Sequence, residues 1–168
     1  MKINYLVTAF LTSYILLFPA TFAQSKSKGY AMRNGIYVIT ENRPKGRESA
    51  HKWRIKWVSR GICTYYVVRD LIKDVSKLKR KNELDLQNLK SNPQSKAYIY
   101  AKRLDGWYVA QLEQLNKMQP ILQERFSLIN RTGAERNTRI QEMHEELRKL
   151  GRQFYNIYRS KPKKDSRK

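Results

Sequence analysis

The chain holds a single cysteine, Cys63, among 168 residues. One thiol cannot close an intramolecular disulfide, so packing alone must hold the fold and a disulfide-stapled scaffold is excluded. Cys63 reads as a small buried apolar residue. A bridge to a partner chain is the alternative use. Histidine is nearly absent too, with only His51 and His144. Neither stands in a His-Glu-x-x-His or Cys/His spacing, so no zinc site and no thiol–imidazole pair is marked. The densest set of ligand-type side chains is Glu142, His144, Glu145 and Glu146, and His144 reads as a surface histidine. Glycine and proline are sparse, at seven and five, with no glycine-rich phosphate loop and no nucleophile elbow. The expectation is a protein that is not an enzyme, with no catalytic residue, cofactor, metal or small-molecule substrate.

Acidic residues are scarce, 14 Asp+Glu against 35 Lys+Arg, for a net charge of +21. The excess is uneven. Residues 24–61 hold ten bases and two acids, and residues 161–168 hold five bases and one acid. Such a field attracts nucleic acid, anionic lipid head groups or an acidic protein surface. The candidate polyanion-binding residues are Arg43, Lys45 and Arg47 in a loop, Arg54 and Lys56 on the segment after it, and Lys161, Lys163 and Lys164 in the tail.

Long apolar runs are missing except near the start. Met1-Lys2 precedes a mostly apolar stretch from Leu6 to Phe18, then Pro19, then Thr21-Phe22-Ala23 before Gln24. That is the basic, apolar and small-residue order of a secretory signal over residues 1–23. Retention as a membrane anchor is the alternative. The expected address is exported, periplasmic or envelope-associated, with residues 24–29 a flexible linker.

Residues 30–61 read as a β-hairpin-like segment. Gly35–Thr40 is β-branched and aromatic, and Lys52–Val58 alternates, with Trp53, Ile55 and Trp57 against Lys52, Arg54 and Lys56. A loop from Glu41 to Ala50 joins them. Trp53 and Trp57 are expected in the core, because the alternation puts their rings opposite the cations. An exposed stacking platform for single-stranded nucleic acid needs both on one face.

Residues 62–160 read as an elongated bundle of three long helices. Gly61 ends the first region. The first helix, from Tyr65 to about Lys90, carries Val68, Leu71, Val75, Leu78, Leu86 and Leu89, with Asn82 at a core position. The basic cluster Lys77, Lys79, Arg80 and Lys81 on this helix reads as solvated surface. Asn92 and Pro93 open the second helix, which runs to Ile129 with an expected kink at Pro120. Its aromatic residues Tyr98, Tyr100, Trp107 and Tyr108 read as core and interface. The third is expected to start on a Thr132–Glu135 capping box. Its apolar positions Ile140, Met143, Leu147, Leu150, Phe154 and Ile157 have the a/d spacing of a coiled-coil heptad. Residues 161–168 are expected to be a disordered basic tail. The predicted fold class is mainly α, with a small N-terminal β-hairpin.

The Thr21-Phe22-Ala23/Gln24 junction, the long helical region Tyr65–Arg159 and the lack of active-site chemistry form a layout. It resembles small exported proteins of conjugative transfer operons and the minor-pilin class of type IV secretion systems. The resemblance implies an envelope structural or assembly component that binds envelope protein partners. It assigns no functional residue. The basic surface adds an acidic partner, and the alternative role is a polyanion-binding module for DNA or anionic lipid.

Overall fold

The computed structural model describes residues 29–164. The signal segment 1–23, residues 24–28 of the linker and the last four residues of the tail lie outside the described residues. Among the described residues no helix is long and apolar enough to cross a membrane. The protein is mainly helical, with a two-stranded antiparallel hairpin followed by four helices.

The hairpin pairs β1 (Tyr30–Arg33) with β2 (Ile36–Ile39), Tyr30 opposite Ile39 and Arg33 opposite Ile36. Its turn is Asn34-Gly35, with φ of 48° and 74°. Positive φ at both central residues is the two-residue hairpin geometry that Asn-Gly favours. The pairing corrects the expectation that Gly35–Thr40 pairs with Lys52–Val58. That second segment lies in a helix, α1 (Arg47–Ser59). The reason is visible in the spacing. Ala50, Trp53, Trp57 and Val58 are all buried, and steps of three, four and one make a helical stripe as well as Trp53/Ile55/Trp57 makes an alternating one. Only the surroundings decide between them, and here the rings pack under the hairpin.

A Schellman motif ends α1. Ile62 donates to the Trp57 carbonyl (3.1 Å) and Gly61 to that of Val58 (2.9 Å), with Gly61 at φ 67°. Thr64 then caps α2 (Tyr65–Asn88), accepting from the Val67 amide. Ser95 caps α3 (Lys96–Ser127) by accepting from the Tyr98 amide at 3.1 Å. The expected Asn92-Pro93 start is therefore displaced by one short turn. The helix runs on through Pro120. Pro120 and Asn116 are both exposed, so water can take the carbonyl that the missing proline donor leaves free. The expected capping box before α4 (Ala134–Arg159) does not form, because the N-cap is Gly133, one residue after Thr132.

The helices α2 and α3 form an antiparallel hairpin, α4 packs back along α3, and α1 lies on α2 and α4. The main core joins Val68, Leu71 and Val75 of α2, Leu115 and Met118 of α3, and Leu147 and Phe154 of α4. The heptad stripe of α4 is buried as its spacing predicts, from Ile140 to Phe154. Burying each such side chain stabilises by about 1.5–3 kcal/mol. Asn82 is buried and donates to the Ala101 carbonyl at 2.9 Å, which ties the α2–α3 register. Arg139 clamps the other end, with Nε and Nη2 at 2.7 and 2.8 Å from the Glu124 carboxylate. A second, smaller core joins Trp53, Trp57 and Ile62 to Tyr30, Tyr37 and Ile39 of the hairpin.

Candidate polyanion-binding groove

The expected basic strand face does not exist, because the helix distributes its bases around α1. Arg54 points inward and is only 6 % exposed. Its Nη1 lies 2.5 Å from the Asp74 carboxylate, and Asp70 one turn earlier on α2 is 4.0 Å from Nη2. His51 Nδ1 also reaches Asp74 at 3.2 Å, and the exposed Arg43 reaches Asp70 at 3.4 Å. These acids neutralise the α1–α2 seam, so Arg54 is removed from the candidate binding residues. Arg54 holds two elements together, and breaking a buried pair of this kind costs about 3–5 kcal/mol. Lys45 and Arg47 remain exposed in the loop and at the start of α1.

Along the opposite side of α1, Lys52, Lys56 and Arg60 follow one another at four-residue steps. Across from them on α4 lie Arg152, Tyr155 and Tyr158. Together with Ile55, Ser59 and Asn156 these residues line an open groove of ≈ 700 Å³. No acid contributes to its lining. The groove exists because two glycines let α1 and α4 meet backbone to backbone at one end. A Cβ on Gly151 would come within 2.4 Å of the Val58 carbonyl oxygen, and one on Gly61 within 2.6 Å of the Arg148 amide nitrogen. From that contact the groove runs toward Lys52 and Tyr158.

The groove bases are held in different ways. Lys52 pairs with Glu48 at 2.6 Å, but both side chains are well exposed. The pair draws Glu48 below the usual carboxylate range, chiefly by hydrogen bonding. Exposed pairs like this contribute little and yield readily to a competing anion. Lys56 reaches Glu41 at 2.5 Å and lies 4.8 Å from the Trp57 ring centre. Arg60 stacks over the same ring at 5.4 Å. Among the described residues neither Arg60 nor Arg152 forms an ion pair, so both present unopposed charge. At the far end Arg159 stacks on Tyr155 at 5.8 Å. The tail base Lys161 does not join the groove lining, and instead lies over the Trp107 ring of α3 at 5.6 Å. Lys163 and Lys164 are exposed beyond it.

Among the buried polar groups, His144 and Arg125 also lay outside the expectations drawn from spacing alone. His144, read as a surface residue, is 6 % exposed and sits against the Tyr37 ring, 4.9 Å between centres. Burial first, then the charges of Arg125 and Arg148, push its pKa down to about 4. It is neutral at pH 7. Arg125 is buried without a carboxylate among the described residues and donates Nη2 to the Cys63 carbonyl. Cys63 itself is buried as expected, and that burial pushes its thiol up to about 12. A thiol so protonated is a poor nucleophile and metal ligand. Among the described residues no group of three or more His, Cys, Asp or Glu side chains is placed to hold a metal ion.

The arrangement suits charge recognition: cations face one another across the groove, with the tyrosine rings of α4 beside them. No protein family matches the chain, and neither curated proteins nor solved structures give a match.

Proposed function

We propose that this chain is an exported, non-catalytic component of the cell envelope that holds an acidic partner in the groove between α1 and α4. The observation that carries the reading is the lining of that groove, with Lys52, Lys56, Arg60 and Arg152 present and no acid. Export rests on the Leu6–Phe18 and Thr21-Phe22-Ala23 pattern. The layout it shares with small exported proteins of transfer operons supports a part in conjugative or secretion machinery as the specific form of the role.

A DNA strand or an anionic bilayer would meet the same bases, so the test has three probes. The purified chain is titrated at low salt with polyglutamate, with a single-stranded oligonucleotide and with phosphatidylglycerol vesicles. Binding that favours polyglutamate supports an acidic protein partner. Preference for the oligonucleotide or the vesicles assigns the groove to DNA or lipid instead. In each case Arg60→Glu combined with Arg152→Glu should weaken binding at least tenfold while leaving the helical circular dichroism unchanged. An unaltered affinity in that double variant, or no binding to any probe, refutes the reading.

A further inference from the structure

The apolar stripe of α2 is covered along part of its length only. Leu71 and Val75 are buried to 0 % and 2 % exposure, and one turn further Leu78 is 39 % exposed. The change comes where α4 ends. Trp107 of α3 donates to the Ile157 carbonyl near the end of α4 at 2.6 Å, so the first turns of α3, from Lys96 to Arg103, extend past α4. Opposite them runs the second half of α2, aligned by the Asn82–Ala101 hydrogen bond and by Lys79–Asp105 at 3.5 Å. This part of the α2–α3 hairpin is an arm of two helices. Its third side, where α4 lies lower down, is open. At 1.5 Å per residue the protruding stretch of α3 is roughly 12 Å long.

On α3, Tyr100, Leu104 and Trp107 follow at steps of four and three and so share a face; Leu104 and Trp107 are half-buried against the main core, with Lys161 over the Trp107 ring, and Tyr100 one turn beyond them is half-buried on the arm. On α2, Leu78 continues the stripe of Leu71 and Val75. The slot therefore prolongs the position that α4 occupies in the bundle. Charge selects what enters it. Residues 77–105 carry eight bases and three acids. A second copy would bring the same excess, and like charges at an interface are costly. Just beyond α4, Lys161 meets the Trp107 ring as a charge, and residues 161–168 carry no branched aliphatic or aromatic side chain.

We infer that the α2–α3 arm docks an acidic amphipathic helix of a partner protein, laid in the slot beyond the end of α4. The inference goes beyond the groove reading and stands on different residues. Its test uses the full chain and three synthetic peptides measured by fluorescence anisotropy. One is a helical peptide with leucine at a and d and glutamate on its flanks. The second has the same composition in scrambled order, and the third has lysine flanks. The acidic amphipathic peptide should bind at least tenfold more tightly than either of the others. Leu78→Glu and, separately, Tyr100→Ser should each remove most of that difference, with helical content checked by circular dichroism. Arg60→Glu/Arg152→Glu should leave it intact, which separates this surface from the groove. Equal binding of the scrambled peptide shows that charge alone acts and overturns the inference. So does loss of binding in the groove variant. Dimerisation of the chain in size-exclusion chromatography with light scattering, abolished by Leu78→Glu, would make a second copy the occupant and overturn it as well.

Discussion

The neutral imidazole of His144 makes one side chain a source of acid sensitivity. Its folded pKa of about 4 lies below the ordinary 6.5, so the unfolded chain takes up the proton first as pH falls. Stability from this group is full above pH 6.5 and is lost progressively down to about pH 4, by on the order of 2 kcal/mol. Replacing it by His144→Gln should flatten the melting temperature against pH in that window, as followed by circular dichroism. A profile as steep as that of the parent chain would place the sensitivity elsewhere. His144 and Arg125 also mark the limit of reading residues from local sequence. A polar residue next to Met143 on an apolar stripe can face either way by one residue's rotation. What turns it inward is Tyr37, from an element more than a hundred positions earlier. No neighbour in the chain reports that contact.

At the scale of elements, the junction of α1 with α4 depends on Gly61 and Gly151. Gly151→Ala places a methyl against the Val58 carbonyl oxygen at 2.4 Å, which cannot be relieved by turning a side chain. It should cost about 1–3 kcal/mol in urea denaturation and widen the groove. A substitution that left both stability and polyanion affinity unchanged would show that the close approach is dispensable. The long helices were legible because their apolar steps admit one period only, as with Ile140 to Phe154. The segment around Trp53 was not, because its apolar residues satisfy two periods at once. The hairpin did carry a local mark, Asn34-Gly35, the strongest short-range signal of a tight β-turn. It was masked by the alternating stretch further along, which offered a competing partner for the same strand.

For the molecule as a whole, the net charge of +21 sets two opposite responses to salt. Self-repulsion destabilises the compact state at low ionic strength, so raising salt from about 10 to 150 mM, where the Debye length contracts to about 8 Å, should raise the melting temperature by a few degrees. Over the same range polyanion affinity should fall steeply. Calorimetry and anisotropy on one sample check both, and a melting temperature that falls with salt would contradict the first. The basic excess was legible from composition, but its gathering along one groove was not. Arg60, at the C-cap of α1, and Arg152 on α4 line one groove only when α1 folds onto α4. That same closure reaches the hairpin. Arg136 of α4 donates to the Asn34 carbonyl at 2.9 Å, and Arg148 donates to the Tyr37 hydroxyl at 3.0 Å. The earliest described element is thus sealed by the latest one. During synthesis the Tyr30–Ile39 aromatics wait, half-covered, until nearly the whole chain has emerged. Loop closure over such distances is slow. The contact of Tyr37 with Arg148 can form only after position 148 has been made, so the hairpin is the first described element to be synthesised and among the last to be fully packed.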